Sequence, residues 1–288
     1  MTKPDFHPWR RLLLALMFVP TCAFAQTQGA QEGFRPEVGH AGKDVIWLPT
    51  PEQVVERMLQ MAQVGPEDFV VDLGSGDGRT VIAAAKDFHA LSLGLEYNPD
   101  MVALSRRNAE QAGVAEKAKF IEGDIFVVDF SQATVVTMYL LPDLNLRLQP
   151  KLLEMKPGTR LVSHQFTMGE WQPDEISSFD NRSAYFWVVP AKVEGNWRLS
   201  YPTQAGRAEL KLNLTQKFQM VEGGIVMPDS RRLGLRDPWL RGDRFTFTLV
   251  DDRGVLREFS GHVLADTIEG TMKVAGKIEG RFRAQRSP

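Results

Sequence analysis

This chain of 288 residues is poor in cysteine, holding only Cys22. That excludes a disulfide framework, a C-x-x-C redox pair and a cysteine zinc site. It also lacks an excess of one charge. Its 34 basic and 36 acidic residues leave a net charge of −2, so the basic footprint of a nucleic-acid binder is missing. No apolar run reaches the ~20 residues that a spanning helix needs. A dinucleotide fingerprint is missing as well. Glycines stand at Gly74, Gly76 and Gly78, and Arg79 occupies the place of the third glycine in G-x-G-x-x-G. What is there suits a globular protein: 43% hydrophobic and 24% charged residues, in a length that holds one large domain or a domain and a half.

The informative stretch is Val70-Val71-Asp72-Leu73-Gly74-Ser75-Gly76-Asp77-Gly78. An apolar run ends in an acid and a glycine-rich turn, and Thr80 to Lys86 then reads as a helix. Strand, glycine turn and helix together cradle a nucleotide-type cofactor, because glycine lets the backbone turn tightly and lets a ligand come close. Leu91 to Glu96 is a second apolar run ending in an acid. Glu96 is placed at the carboxyl end of the neighbouring strand, where a carboxylate can accept from both hydroxyls of a ribose. Asn98-Pro99-Asp100 opens the next helix. A third run from Lys119 ends in Gly123-Asp124. Asp72 suits an ammonium group on the ligand.

The rest of the chain divides by texture. Arg10 and Arg11, the apolar run Leu12 to Val19 and Ala23-Phe24-Ala25 read as a secretory signal peptide over 1–25, with residues 26–43 as a flexible leader. This predicts export to the periplasm or cell envelope, with no stable membrane span after cleavage. Thr50-Pro51-Glu52-Gln53 reads as a helix start in which Thr50 caps and Gln53 completes a capping box. From Asp68 to about Phe166 strands alternate with helical patterns, which implies parallel βαβ units. Tyr185 to Val189 is expected to add an antiparallel strand. After about Pro190 helical periods vanish. Leu210, Leu212 and Leu214 alternate with polar residues, as do Phe245, Phe247 and Leu249. Asp251-Asp252-Arg253-Gly254 signals a hairpin turn. The fold class is therefore α/β: a Rossmann-like doubly wound sheet over 44–190, followed by a small antiparallel β domain over 191–288.

Residues 44–166 resemble class I, seven-strand S-adenosylmethionine methyltransferases. They are similar in particular to bacterial relatives of the mitochondrial protein-lysine methyltransferases that act on membrane carriers and the ATP synthase c-ring. The resemblance is carried by Pro49-Thr50-Pro51, Asp72 to Arg79, Glu96-Tyr97-Asn98-Pro99, Tyr139 to Pro142, Pro157-Gly158 and Ser163-His164. It implies S-adenosyl-L-methionine as cofactor, held by Thr50, Asp72, Gly74, Ser75, Gly76, Gly78, Glu96 and Asp124, with Asp124 on the adenine amino group and Trp47 and Thr50 in a lid. The acceptor is a protein or a small molecule, a protein lysine amine being one candidate, and not a nucleic acid. Where many amino methyltransferases carry Asn/Asp-Pro-Pro-Tyr, this chain has Tyr139-Leu140-Leu141-Pro142, which argues against adenine or glutamine as acceptor. Tyr139 and His164 are the candidate acceptor-side catalytic residues. An exported binding module that keeps the fold without catalysis is the alternative.

Overall fold

The computed structural model describes residues 34–39, 47–227, 229–250 and 254–287. The expected signal peptide, most of the leader, Asp44-Val45-Ile46 and the turn residues Asp251-Asp252-Arg253 lie outside the described residues.

Seven strands form the first sheet: β1 (Phe69–Leu73), β2 (Leu91–Glu96), β3 (Ala118–Glu122), β4 (Val135–Met138), β5 (Arg160–His164), β6 (Glu175–Phe179) and β7 (Arg182–Val188). Their order is β3-β2-β1-β4-β5-β7-β6. Strands β1 to β5 are parallel, and β7 runs antiparallel to both its neighbours. Four helices cover the sheet: α1 (Glu52–Met61), α2 (Arg79–Asp87), α3 (Pro99–Gln111) and α4 (Pro142–Leu153). The continuous apolar runs follow from this layering, since a parallel strand is buried on both faces. On β1, Val70 packs with Val54, Met58 and Leu59 of α1 and with Ala84 of α2. Its neighbour Val71 packs with Leu148 and Leu152 of α4 and with Trp171 and Trp187 on the opposite face.

One local expectation is corrected. Helix α1 starts at Glu52 with Pro51 as its N-cap and no side-chain cap. Thr50 does not cap it, because its hydroxyl is engaged with His164 Nδ1 at 3.2 Å, and no capping box forms. The antiparallel strand expected over Tyr185 to Val189 is β7, and a further strand, β6, pairs with its other edge to make a hairpin. Its outer strand, β6, carries Glu-Ile-Ser-Ser-Phe on the exposed edge, where no apolar run is needed.

Nine strands form the second sheet: β8 (Gly195–Thr203), β9 (Gly206–Lys217), β10 (Met220–Val226), β11 (Arg232–Gly234), β12 (Arg236–Arg241), β13 (Arg244–Val250), β14 (Leu256–Leu264), β15 (Thr267–Val274) and β16 (Lys277–Arg286). The order is β11-β10-β9-β8-β16-β15-β14-β13-β12, and every paired neighbour is antiparallel. The sheet curls on itself, and Leu235 N–H, between β11 and β12, donates to Gly223 O of β10 at 2.9 Å. The alternation read from Leu210-Leu212-Leu214 and Phe245-Phe247-Leu249 points these side chains inward. There Phe247 stacks on Phe259 at 4.7 Å and meets Phe282 edge-on. The two sheets touch: Phe218, at the β9–β10 turn, stacks on Trp171 at 5.8 Å, and Ala191 N–H donates to Gly242 O at 2.8 Å.

Phe247→Ala should cost about 3–5 kcal/mol, as for other buried aromatic truncations. Urea unfolding measures it. A loss below about 1 kcal/mol would show that this aromatic cluster does not hold the curled sheet together.

Candidate functional site

The strand order reverses at β1, with β2 and β3 on one side and β4 on the other. In open α/β sheets, ligands bind at such a switch, beyond the carboxyl ends of the strands. A cavity opens there. Of the residues singled out in the sequence, Thr50, Asp72, Gly74, Ser75, Gly76, Glu96, Asp124 and Tyr139 line it. Gly78 and His164 do not.

The turn after β1 needs its glycines for separate reasons. Gly74, Gly76 and Gly78 all have positive φ, at 74°, 55° and 84°, which disfavours any residue with a Cβ. A Cβ on Gly76 would also lie 2.7 Å from Trp47 Nε1, so the indole roofs the turn. A Cβ on Gly78 would strike Phe120 and Ser105 at 2.7 Å. Gly78 therefore lets α2 seat against the sheet rather than facing the cavity. Ser75 Oγ is buried against Gly94 and has no hydrogen-bond partner among the described residues, so its hydroxyl turns away from the cavity. Glu96 braces the turn: one carboxylate oxygen accepts Gly76 N–H at 3.0 Å and the other accepts Asn98 N–H at 2.9 Å. Each oxygen keeps a further lone pair for a ligand hydroxyl. Asp124 lies beyond the end of β3 and accepts Phe126 N–H at 2.9 Å.

Asp72 is buried at the end of β1. Thr137 Oγ1, on β4, donates to Asp72 Oδ1 at 2.6 Å. Burial pushes its carboxyl up to about 7, partly offset by the hydroxyls of Thr137 and Thr80, while Glu96 and Asp77 push it further. Arg79, the nearby cation, is spent elsewhere. It pairs with Asp77 at 2.6 Å and donates through Nη1 to Thr50 O at 2.8 Å. This ties the roof segment Trp47 to Thr50 to the glycine turn. Thr137 and Arg182 escape the sequence reading. The polar Thr137 inside an apolar strand is a readable signal for the first, while nothing local marks Arg182.

Tyr139, just past β4, separates this cavity from a second one. His164 ends β5 and lines the second one only. Its ring lies 4.0 Å from that of Tyr139. Burial first, and then the Arg182 charge, push the imidazole down to about 4, so it is neutral at ordinary pH.

Two outcomes are expected from this geometry. Gly76→Val should abolish S-adenosylhomocysteine binding in calorimetry while far-UV circular dichroism stays unchanged. Retained affinity would contradict the cradle. Asp72 has a folded pKa above its usual value of 3.8, so its contribution to stability is present at low pH and is lost as pH rises through about 7. The ligand-free protein should lose stability from about pH 4 to pH 7, and Asp72→Asn should remove that part of the slope in urea titrations.

Comparison with known proteins agrees with this arrangement. The family model of the ANTKMT methyltransferase domain matches residues 72–175. A protein-lysine N-methyltransferase of Saccharolobus islandicus is 46% identical over 151 residues, which is 50% of this chain and 94% of that protein. The adenine nucleotide translocase lysine N-methyltransferase of Mus musculus is 36% identical over 130 residues, 45% of this chain and 56% of the mouse protein. A crystal structure described as an RNA methyltransferase from Salinibacter ruber, in complex with S-adenosyl-L-homocysteine, shares 48% identity. It aligns over 51% of this chain and 96% of its own, with a TM-score of 0.50. The residues present fit S-adenosylmethionine. The lining holds a glycine turn with no room for a Cβ, the carboxylates of Asp72, Glu96 and Asp124 at the strand ends, and an apolar wall of Met101, Met138 and Leu140. With nearly the full length of one relative covered at this identity, the chain belongs to the ANTKMT-type family of class I, S-adenosylmethionine-dependent methyltransferases.

Proposed function

We propose that the chain methylates a lysine amine of a protein, with the cofactor held by the glycine turn, Asp72, Glu96 and Asp124, and with Tyr139 and His164 on the acceptor side. The observation that carries this reading is the wall at the end of β4. It offers an aromatic ring and the apolar Leu140 and Leu144, and its side chains are not the polar ones that would hold a planar amide or base. The lysine substrates of the archaeal and mouse relatives support it.

The cofactor supplies an activated methyl group when bound, so the chain's own work is alignment and exclusion of water. Asp72, ionised against a cationic ligand, anchors one end. Glu96 fixes the turn and the ribose side. Trp47 covers the turn. Neutral His164 and the ring of Tyr139 face the acceptor side.

The description of the Salinibacter ruber relative favours a second reading, an RNA acceptor. Incubating the protein with radiolabelled cofactor and either a bacterial protein extract or total RNA separates the two. Label in protein, recovered as methyllysine after hydrolysis, is the expected result; label in RNA alone would contradict the lysine reading. We further infer export through the signal over 1–25, with cleavage after Ala25. The Arg10-Arg11 pair followed by three leucines loosely resembles a twin-arginine signal, a route that carries folded, loaded proteins. N-terminal sequencing of the protein from the cell envelope should begin near Gln26.

Glu96→Ala removes two charge-assisted hydrogen bonds, one from Gly76 N–H in the turn and one from Asn98 N–H at the start of α3. At about 1.5–3 kcal/mol each, cofactor affinity should fall by roughly tenfold or more. Parental affinity in calorimetry would contradict the bracing role.

A further inference from the structure

We propose that Thr137, in β4, is a positioning residue for the cofactor: its hydroxyl holds Asp72 ready to ionise, and so decides how tightly the site takes the ligand's ammonium near neutral pH. This rests on the reading that the ammonium meets Asp72, and it adds the group that makes a buried carboxyl usable there.

The strand gives the first reason. Val135, Val136, Thr137 and Met138 are all buried, Thr137 fully so. A valine has the same branched outline and suits such a strand equally well. Burying a hydroxyl is costly unless it is hydrogen-bonded. Here it donates to Asp72 Oδ1 at 2.6 Å.

The register gives the second. Asp72 pairs with Gly94 of β2 on one side and with Thr137 on the other, and Thr137 pairs in turn with Val162 of β5. Side chains alternate along each strand, so residues paired in this way share a face of the sheet. The row reads Gly94, Asp72, Thr137, Val162. Gly94 has no side chain and Val162 no polar side-chain atom, so within this row only Thr137 can donate a side-chain hydrogen bond to the carboxylate.

The surroundings give the third. Glu96 reaches towards Asp72 from β2, Asp77 from the turn and Thr80 from α2. Arg79 is tied to Asp77 and to Thr50 O. Tyr97, Asp124 and Tyr139 are the other titratable groups of the cavity lining, to which α1 contributes Met58. Burial pushes the Asp72 carboxyl up, the hydroxyls of Thr137 and then Thr80 draw it back, and Glu96 and Asp77 push it up again. The two hydroxyls differ in place. Thr80 lines the cavity, where it can touch a ligand, and Thr137 does not. Thr137 therefore acts on the ligand through Asp72.

The test uses the full chain with its aspartate carboxyl carbons labelled with carbon-13. The Asp72 resonance is the one that Asp72→Asn removes. In the ligand-free protein, Thr137→Val should move the Asp72 titration to higher pH by about one to two units, the worth of a hydrogen bond to a charged group. S-adenosylhomocysteine carries the ammonium, which ordinarily titrates at about 7.7–8.0 and is mostly charged at pH 7. With the parent carboxyl half ionised at about 7, calorimetric affinity for this ligand at pH 7 should fall roughly five- to fiftyfold in Thr137→Val. Thr137→Ser should bring both readings back near the parent's. Methylthioadenosine, which has the nucleoside and no ammonium, should bind parent and Thr137→Val alike. Thr137→Ala should repeat the Thr137→Val readings, so that misfolding of one variant leaves the other to decide.

An unmoved Asp72 titration would overturn the role of Thr137 alone. A displaced titration with parental S-adenosylhomocysteine affinity would overturn the reading beneath it, because the ammonium then does not meet Asp72. Equal losses for both ligands, or Thr137→Ser behaving as Thr137→Val does, would make the hydroxyl merely structural and overturn the proposal too.

Discussion

A buried carboxyl group that lacks a cation, Asp72, is the constraint on which the site depends. Burying an unpaired charge is costly enough that the group holds its proton instead. Here the described hydrogen-bond partners are hydroxyls, from Thr137 and Thr80, and the nearest charges are the acids Glu96 and Asp77. The arginine at hand, Arg79, is bound to Asp77 and to the roof. The ligand-free site is thus short of positive charge, and a cationic ligand can supply it. The carboxylates sit on or just beyond the ends of β1, β2 and β3, so the shortage follows from topology: parallel strands bring their ends to one edge, and the switch at β1 opens space between them.

The roof depends on the same turn. Trp47 can lie over Gly76 only because that position has no Cβ, and Arg79 can reach Thr50 only because the third glycine of a dinucleotide fingerprint is absent. Thr50 then passes the constraint to His164, and His164 to the Tyr139 ring. One set of contacts therefore shapes both cavities. The curled second sheet contributes no lining residue to either cavity among the described residues. It meets the first sheet through Phe218 on Trp171 and the Ala191–Gly242 bond.

The first five strands, the helices between them and the acids at the strand ends were legible because each follows from local pattern: apolar run, acid, glycine, then helical period. The alternation after Pro190 was legible for the same reason. What stayed hidden is non-local. Strand β6 carries no apolar pattern because it lies on an exposed edge. Thr50 looked like a helix cap because a threonine before Pro-Glu-Gln is a good one, and only the fold brings His164, 114 residues away, within reach of its hydroxyl. Gly78 looked like a ligand contact, yet the close approach it permits is to Phe120 and Ser105. Arg182 sits at a hairpin whose place beside His164 depends on the antiparallel insertion of β7.

The most direct measurement is calorimetric titration of the protein with S-adenosylmethionine across pH, in buffers of differing ionisation heat. If a cationic ligand completes the site at Asp72, binding releases a proton near pH 7 and tightens as pH rises through that value, and Asp72→Asn loses both effects. Affinity and proton release that do not change with pH, or that are unaltered in Asp72→Asn, would contradict the account.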